Sequence, residues 1–172
     1  NPIYRSGKPN SDNQLTWAGP IPEELERLFE AQKNGPLFKK FNIEPPRGYL
    51  FYGPPGNGKT MLAEYIAQTL DVPLFKETSG SFLNIYQGSG TNHLNELLEK
   101  AHALPSTPDR PFKAVIFIDE IDGISSREKS FNREELRLAE HLLAAITDEK
   151  NNDILFLGAT NIFDSIDKAL IR

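Results

Sequence analysis

Gly53-Pro54-Pro55-Gly56-Asn57-Gly58-Lys59-Thr60 fits the pattern G-x-x-x-x-G-K-[ST]. A strand-like run, Gly48-Tyr49-Leu50-Phe51-Tyr52, comes just before it. Just after it a helical spacing begins, with apolar residues at Met61, Leu62, Tyr65, Ile66 and Leu70. Strand, glycine loop and helix is the setting this pattern needs, because phosphates sit where backbone N–H groups point outward and the helix dipole favours negative charge. Gly53, Gly56 and Gly58 allow the backbone to curl tightly without a Cβ clash. Lys59 is then expected to neutralise the β- and γ-phosphates of a nucleotide, and the Thr60 hydroxyl to bind Mg²⁺.

Outward from the loop, the chain alternates between strand-like and helix-like runs. Upstream, residues 1–20 are rich in Asn, Ser, Gly and Pro and read as an extended arm, with Trp17 as its packing anchor. A helix is expected from Pro22, carrying Leu25, Leu28 and Phe29 on one face until Asn34-Gly35-Pro36 stops it. Leu37–Phe41 forms a second short element closed by Pro45-Pro46. Downstream, Val72–Lys76 reads as a short strand, and residues 91–103 as a helix through Leu94, Leu97, Leu98 and Ala101. Ala114-Val115-Ile116-Phe117-Ile118 is a continuous apolar run, the signature of a strand buried on both faces. Residues 124–132 are polar. A helix follows from Arg133, with Leu136, Leu138, Leu142, Leu143 and Ile146, and then a second buried strand, Ile154–Gly158. Such alternation predicts an α/β fold, a mostly parallel sheet with helices on both faces.

In a parallel sheet, ligands gather at the carboxyl ends of the strands. Asp119 and Glu120 stand at that edge, directly after the buried run. Asp119 is placed to hold the Mg²⁺ shell, directly or through water, and Glu120 to polarise an attacking water. Asn161 closes the next strand and could hydrogen-bond the γ-phosphate or position that water. Asp164 and Asp167 read as solvated or capping residues. His93, His102 and His141 lie in helix patterns without partners at metal-ligand spacing and read as structural.

Composition narrows the classes. The chain has 172 residues, 38% of them hydrophobic and 25% charged, which suits one globular domain with a real core. A formal charge of −5 gives no general electrostatic reason to bind nucleic acid or an anionic membrane. With no cysteine there is no disulfide framework and no Cys-based zinc site, which fits a cytoplasmic or other reducing compartment. No apolar stretch approaches the ~20 residues needed to span a bilayer, and no signal-peptide pattern opens the chain. Starting at Asn1-Pro2 without Met, it is expected to be a piece of something longer, whose targeting or membrane segments would not show here.

Taken together, Gly53–Thr60, Ile116-Phe117-Ile118-Asp119-Glu120-Ile121-Asp122 and Gly158-Ala159-Thr160-Asn161 resemble the AAA family of ATPases, most closely its FtsH-type, proteasomal and Cdc-forty-eight-type branch. Glu44-Pro45-Pro46-Arg47-Gly48 adds to the match, and the resemblance covers most of residues 15–172. It implies a three-layer P-loop NTPase core over residues 21–172, with ATP or ADP and Mg²⁺ as ligands. Nucleotide would be held by Gly53 through Met61, including Pro54, Pro55 and Asn57, and by Ala18 and Gly19 against adenine. Lys59, Asp119, Glu120 and Asn161 would carry hydrolysis. The resemblance further implies a homo-oligomeric ring, usually a hexamer, whose pore loop Tyr86-Gln87-Gly88 grips a translocating polypeptide. Gln87 departs from the usual apolar residue there. The polar stretch 124–132 falls where a second pore loop would lie.

Other departures bear on activity. Asp167-Lys168-Ala169-Leu170-Ile171-Arg172 matches the run that precedes the family's paired arginines, and the chain stops there. Arginines of that kind can be worth about 10³–10⁵ in rate when supplied by a neighbour. The last strand of the core and the helical lid are missing too, and Ile162 replaces a common Arg. The expectation is an ATPase fragment that binds nucleotide and turns it over weakly, from a motor that remodels, unfolds or translocates proteins. A small P-loop kinase and a nucleotide-dependent assembly switch are the competing classes.

Overall fold

A computed structural model describes residues 19–83, 90–125 and 133–162. The elements follow in the order α1 (Glu23–Lys33), α2 (Gly35–Lys40), β1 (Gly48–Tyr52), α3 (Lys59–Leu70), β2 (Leu74–Thr78), α4 (Ser79–Leu83), α5 (Gly90–His102), β3 (Ala114–Asp119), α6 (Asp122–Ser125), α7 (Arg133–Thr147) and β4 (Ile154–Thr160). The four strands form one sheet in the spatial order β1-β4-β3-β2, and every pairing is parallel. Every strand therefore ends at the same edge.

Alternate residues of the two central strands feed two separate cores. Ala114, Ile116 and Ile118 of β3, with Ile154 and Phe156 of β4, pack under α5 and α7 against Leu94, Leu97, Leu138 and Leu142. Val115 and Phe117, with Leu155, Leu157 and Ala159, face the other way onto α1 and α3, meeting Leu28, Ala63, Ile66 and Leu70. This is a three-layer α/β sandwich, and the double burial explains why β3 and β4 read as unbroken apolar runs. Removing so much apolar surface from water is the main force holding the layers together.

Several boundaries differ from the sequence-based expectation. Gly35 and Pro36 open α2 instead of merely ending α1, with Asn34 serving as the C-cap of one helix and the N-cap of the next. Strand β2 starts two residues later than Val72. Asp71 adopts a left-handed cap conformation at the end of α3, and the Val72 N–H still donates to the Ala67 carbonyl, so Val72 belongs to the helix exit. Residues 79–83 form a short helix, and Asp122–Ser125 form another where a polar loop was expected from 124. A buried Gln32 joins α1 to the end of α3 and to the segment leading into β3. Its Nε2 donates to the Leu70 and Phe112 carbonyls at 3.0 and 3.1 Å, and its Oε1 accepts from the Phe112 N–H at 3.1 Å.

Candidate nucleotide-binding site

The loop between β1 and α3 turns on glycines whose backbone other residues rarely adopt. Gly56 has φ 81° and Gly58 φ 78°, and Gly58 is the N-cap of α3. No side chain caps α3 and no acidic residue stands in its first turn, so no carboxylate of the helix itself competes for its N-terminal N–H groups and dipole. Pro54, Pro55, Gly56 and Asn57 are exposed, as is Met61 at the start of the helix. Such a loop at the head of a 12-residue helix suits a phosphate group.

Lys59 reaches back over the loop. Its Nζ donates to the Gly53 carbonyl at 2.7 Å, the Pro54 carbonyl at 3.0 Å and Asn161 Oδ1 at 2.8 Å. Sheet register brings Asn161 there. Tyr52 pairs with Thr160, and the Gly53 N–H donates to the Thr160 carbonyl at 3.3 Å, so the residue after β4 meets the base of the loop. The strand ends at Thr160, one residue before Asn161.

Thr60 and Asp119 meet on the other side of the loop. Thr60 Oγ1 donates to Asp119 Oδ2 at 3.0 Å, and Asp119 Oδ1 accepts from the Glu120 N–H at 2.9 Å. Both carboxylate oxygens are thus oriented. Glu120 itself is exposed and has φ 54°, so the chain leaves the strand path abruptly after Asp119. A glutamate in that left-handed region costs on the order of 1–2 kcal/mol and must be held by its surroundings. The Gly123 N–H donates to the Glu120 carbonyl, and the Ile121 N–H to the Ala159 carbonyl, both at 2.9 Å.

Two further residues belong to this constellation that the sequence did not single out. Thr160 is buried, and its Oγ1 donates to Asp122 Oδ1 at 2.7 Å while accepting from the Ile162 N–H at 2.9 Å. Glycine at 158 leaves room for Ile121 and Leu50 to close over β4. A Cβ there would lie 3.1 Å from Ile121 Cδ1 and 3.2 Å from Leu50 Cδ1. Both Asp122 and Thr160 lie inside the quoted motifs, yet only the pairing of β3 with β4 reveals that they touch.

Among the described residues there is no group of three or more His, Cys, Asp or Glu that could hold a metal. A hydroxyl and one carboxylate, Thr60 and Asp119, are the donors at the loop. That set suits Mg²⁺, which keeps much of its shell as water and phosphate oxygen. The three histidines meet protein side chains: His93 faces Glu77 at 3.3 Å, His102 faces Asn151 and His141 faces Asn95, each at 2.8 Å. Gly19 is exposed before α1. Trp17, Ala18, Tyr86, Gln87, Gly88, Asp164, Asp167 and Arg172 lie outside the described residues, as does most of 124–132.

A parallel sheet with this loop between its first strand and the helix that follows it defines a P-loop nucleotide-binding protein of the α/β class. Residues 49–172 match the sequence profile of the ATPase family associated with various cellular activities, AAA. The chain belongs to that family. It is 35% identical over 166 residues to the proteasome-activating nucleotidase of Methanoregula boonei, covering 91% of this chain and 36% of that one. It is 37% identical over 142 residues to the cell division cycle protein 48 homolog of Archaeoglobus fulgidus, covering 81% and 18%. A chloroplast protein of Arabidopsis thaliana, named as the probable inactive ATP-dependent zinc metalloprotease FTSHI 1, is 34% identical over 166 residues, covering 87% and 16%. The chain spans between about a sixth and a third of the length of these relatives.

Proposed function

We propose that this chain is the nucleotide-binding and ATP-hydrolysing core of a ring-forming motor that remodels, unfolds or translocates protein substrates. The observation that carries this reading is the convergence of Lys59, Thr60, Asp119, Glu120 and Asn161 at one sheet edge, with Lys59 bonded to Asn161 and Thr60 to Asp119. These groups come from three separate places in the chain and suit the parts of phosphoryl transfer to water. Lys59 neutralises the β- and γ-phosphates. Thr60 and Asp119 hold Mg²⁺, which supplies positive charge against the phosphate oxygens. Glu120 accepts a proton from the attacking water, and Asn161 fixes that water or the γ-phosphate. Gly53–Met61 cradle the phosphates, while Ala18 and Gly19 meet adenine. Resemblance to the family supports a ring in which Tyr86-Gln87-Gly88 contacts a polypeptide.

Replacing Glu120 with Gln in the assembled ATPase tests this. ATP affinity should hold while turnover falls by ~10²–10⁴-fold, the usual worth of a general base. Turnover at the unchanged rate would remove Glu120 from the chemistry and the reading with it. A second readout addresses the ring: specific activity should fall on dilution if neighbours complete each site.

A further inference from the structure

We propose that Asp122 and Thr160 are positioning residues for hydrolysis. Their side-chain bond fastens the turn that carries Glu120 to the turn that carries Asn161, and so fixes the spacing between those two groups. The inference rests on the roles proposed above for Glu120 and Asn161.

The Thr160 hydroxyl both donates and accepts, so its direction is determined. It donates to Asp122 Oδ1 at 2.7 Å and accepts from the Ile162 N–H at 2.9 Å. The second bond spans Asn161, so the hydroxyl braces the backbone on both sides of that residue. With only 1% of its surface exposed, Thr160 acts through what it holds and not by meeting nucleotide. Asp122 stands on the opposite turn, two residues after Glu120. That turn is closed by the Gly123 N–H on the Glu120 carbonyl and tied to β4 by the Ile121 N–H on the Ala159 carbonyl.

Glu120 is the residue for which such bracing matters. Its φ of 54° is a conformation that a glutamate leaves unless the neighbouring structure over-determines it. Without the Asp122–Thr160 bond, the turn keeps its backbone tie at Ile121 but loses its side-chain anchor beyond it. The Glu120 carboxylate and the Asn161 amide would then move relative to each other. Lys59 would still bridge Gly53, Pro54 and Asn161, and Thr60 would still meet Asp119, so the phosphate loop should bind as before. A split between turnover and binding therefore separates a positioning clasp from a general structural tie.

The test uses the assembled ATPase with Thr160→Val, Thr160→Ser, Asp122→Ala and the double variant of Val with Ala, alongside Glu120→Gln. Thr160→Val should lower kcat by ~10- to 100-fold, the cost of misplacing catalytic groups by about an ångström. Nucleotide Kd should stay unchanged, and Thr160→Ser, which keeps the hydroxyl, should restore kcat. Asp122→Ala should match Thr160→Val, and the double variant should be no worse than either, because one bond is lost in all three. Wild-type kcat in Thr160→Val would overturn the inference, as would parallel loss of kcat and affinity without rescue by Ser. Should Thr160→Val fail to fold, Asp122→Ala decides by the same split. If Glu120→Gln loses turnover and the clasp variants do not, this inference alone fails. If Glu120→Gln turns over normally, the proposed function fails first.

Discussion

Thr60 Oγ1 lies 3.0 Å from Asp119 Oδ2, although 59 residues separate them in the chain. The bond joins the first turn of α3 to the carboxyl end of β3, and it pairs a neutral hydroxyl with an anionic oxygen. That is a suitable donor pair for a small hard cation. Thr60→Ala and Asp119→Asn should each leave the affinity for a non-hydrolysable ATP analogue in EDTA unchanged. The gain in affinity on adding Mg²⁺ should shrink by ~10-fold, equivalent to about 1.4 kcal/mol. Thr60→Ser should behave as the parent. Calorimetric titration with and without Mg²⁺ checks this, and an undiminished Mg²⁺ gain in both variants would remove the pair from the metal site.

Lys59 makes a different prediction, because its ammonium is held by three oxygens of the loop and its neighbour. Lys59→Ala removes the bonds to Gly53, Pro54 and Asn161 together with the charge that would face phosphate. Hydrogen bonds to charged groups are worth about 1.5–3 kcal/mol, so nucleotide Kd should rise by ~10- to 100-fold even without Mg²⁺. Lys59→Arg should not rescue it, since a planar fork cannot replace a compact point charge in a tight loop. Fluorescent ADP titration is the measurement. Equal affinity in all three proteins would mean that the loop binds something else.

Much of this site was legible in sequence because local pattern and chemistry coincide there. The glycine loop carries its own signature, and β3 and β4 announce themselves as buried runs that end in polar residues. What the sequence could not give is the spatial order β1-β4-β3-β2, in which strands far apart in the chain lie side by side. Both the Lys59–Asn161 contact and the Asp122–Thr160 bond depend on that order and on its register. Edge strand β2 was misplaced by two residues for a local reason, since Val72 reads as a strand residue but bonds back to the end of α3. Gln32 escaped notice as one polar letter within an amphipathic helix.

That glutamine offers a test of the fold free of any assumption about nucleotide. Its amide satisfies the Leu70 carbonyl and both backbone groups of Phe112 in a buried setting. Gln32→Leu keeps the volume and leaves those groups unpaired. With about 1–3 kcal/mol for each unsatisfied group and some relaxation, stability should drop by ~2–4 kcal/mol. In urea the midpoint should fall while the slope stays constant. A midpoint within error of the parent would mean that Gln32 does not tie α1 to the end of α3 and the segment before β3.

Tyr49 on β1 supplies the pH dependence. Burial raises its phenol above the ordinary 10.0, and the nearby Glu24 carboxylate adds to the shift. Both effects penalise the phenolate in the folded protein, whereas the unfolded chain ionises near the ordinary value. As pH climbs through that region, the unfolded state releases its proton first and so becomes relatively more stable. This contribution to stability is therefore complete below the ordinary phenol value and is lost as pH rises through the higher folded one. The comparison is with Tyr49→Phe, which keeps the ring and removes the ionisable group. Urea unfolding of both proteins should show the variant losing less stability than the parent above about pH 10. Parallel stability curves across that range would show that Tyr49 ionises as freely in the fold as in the open chain.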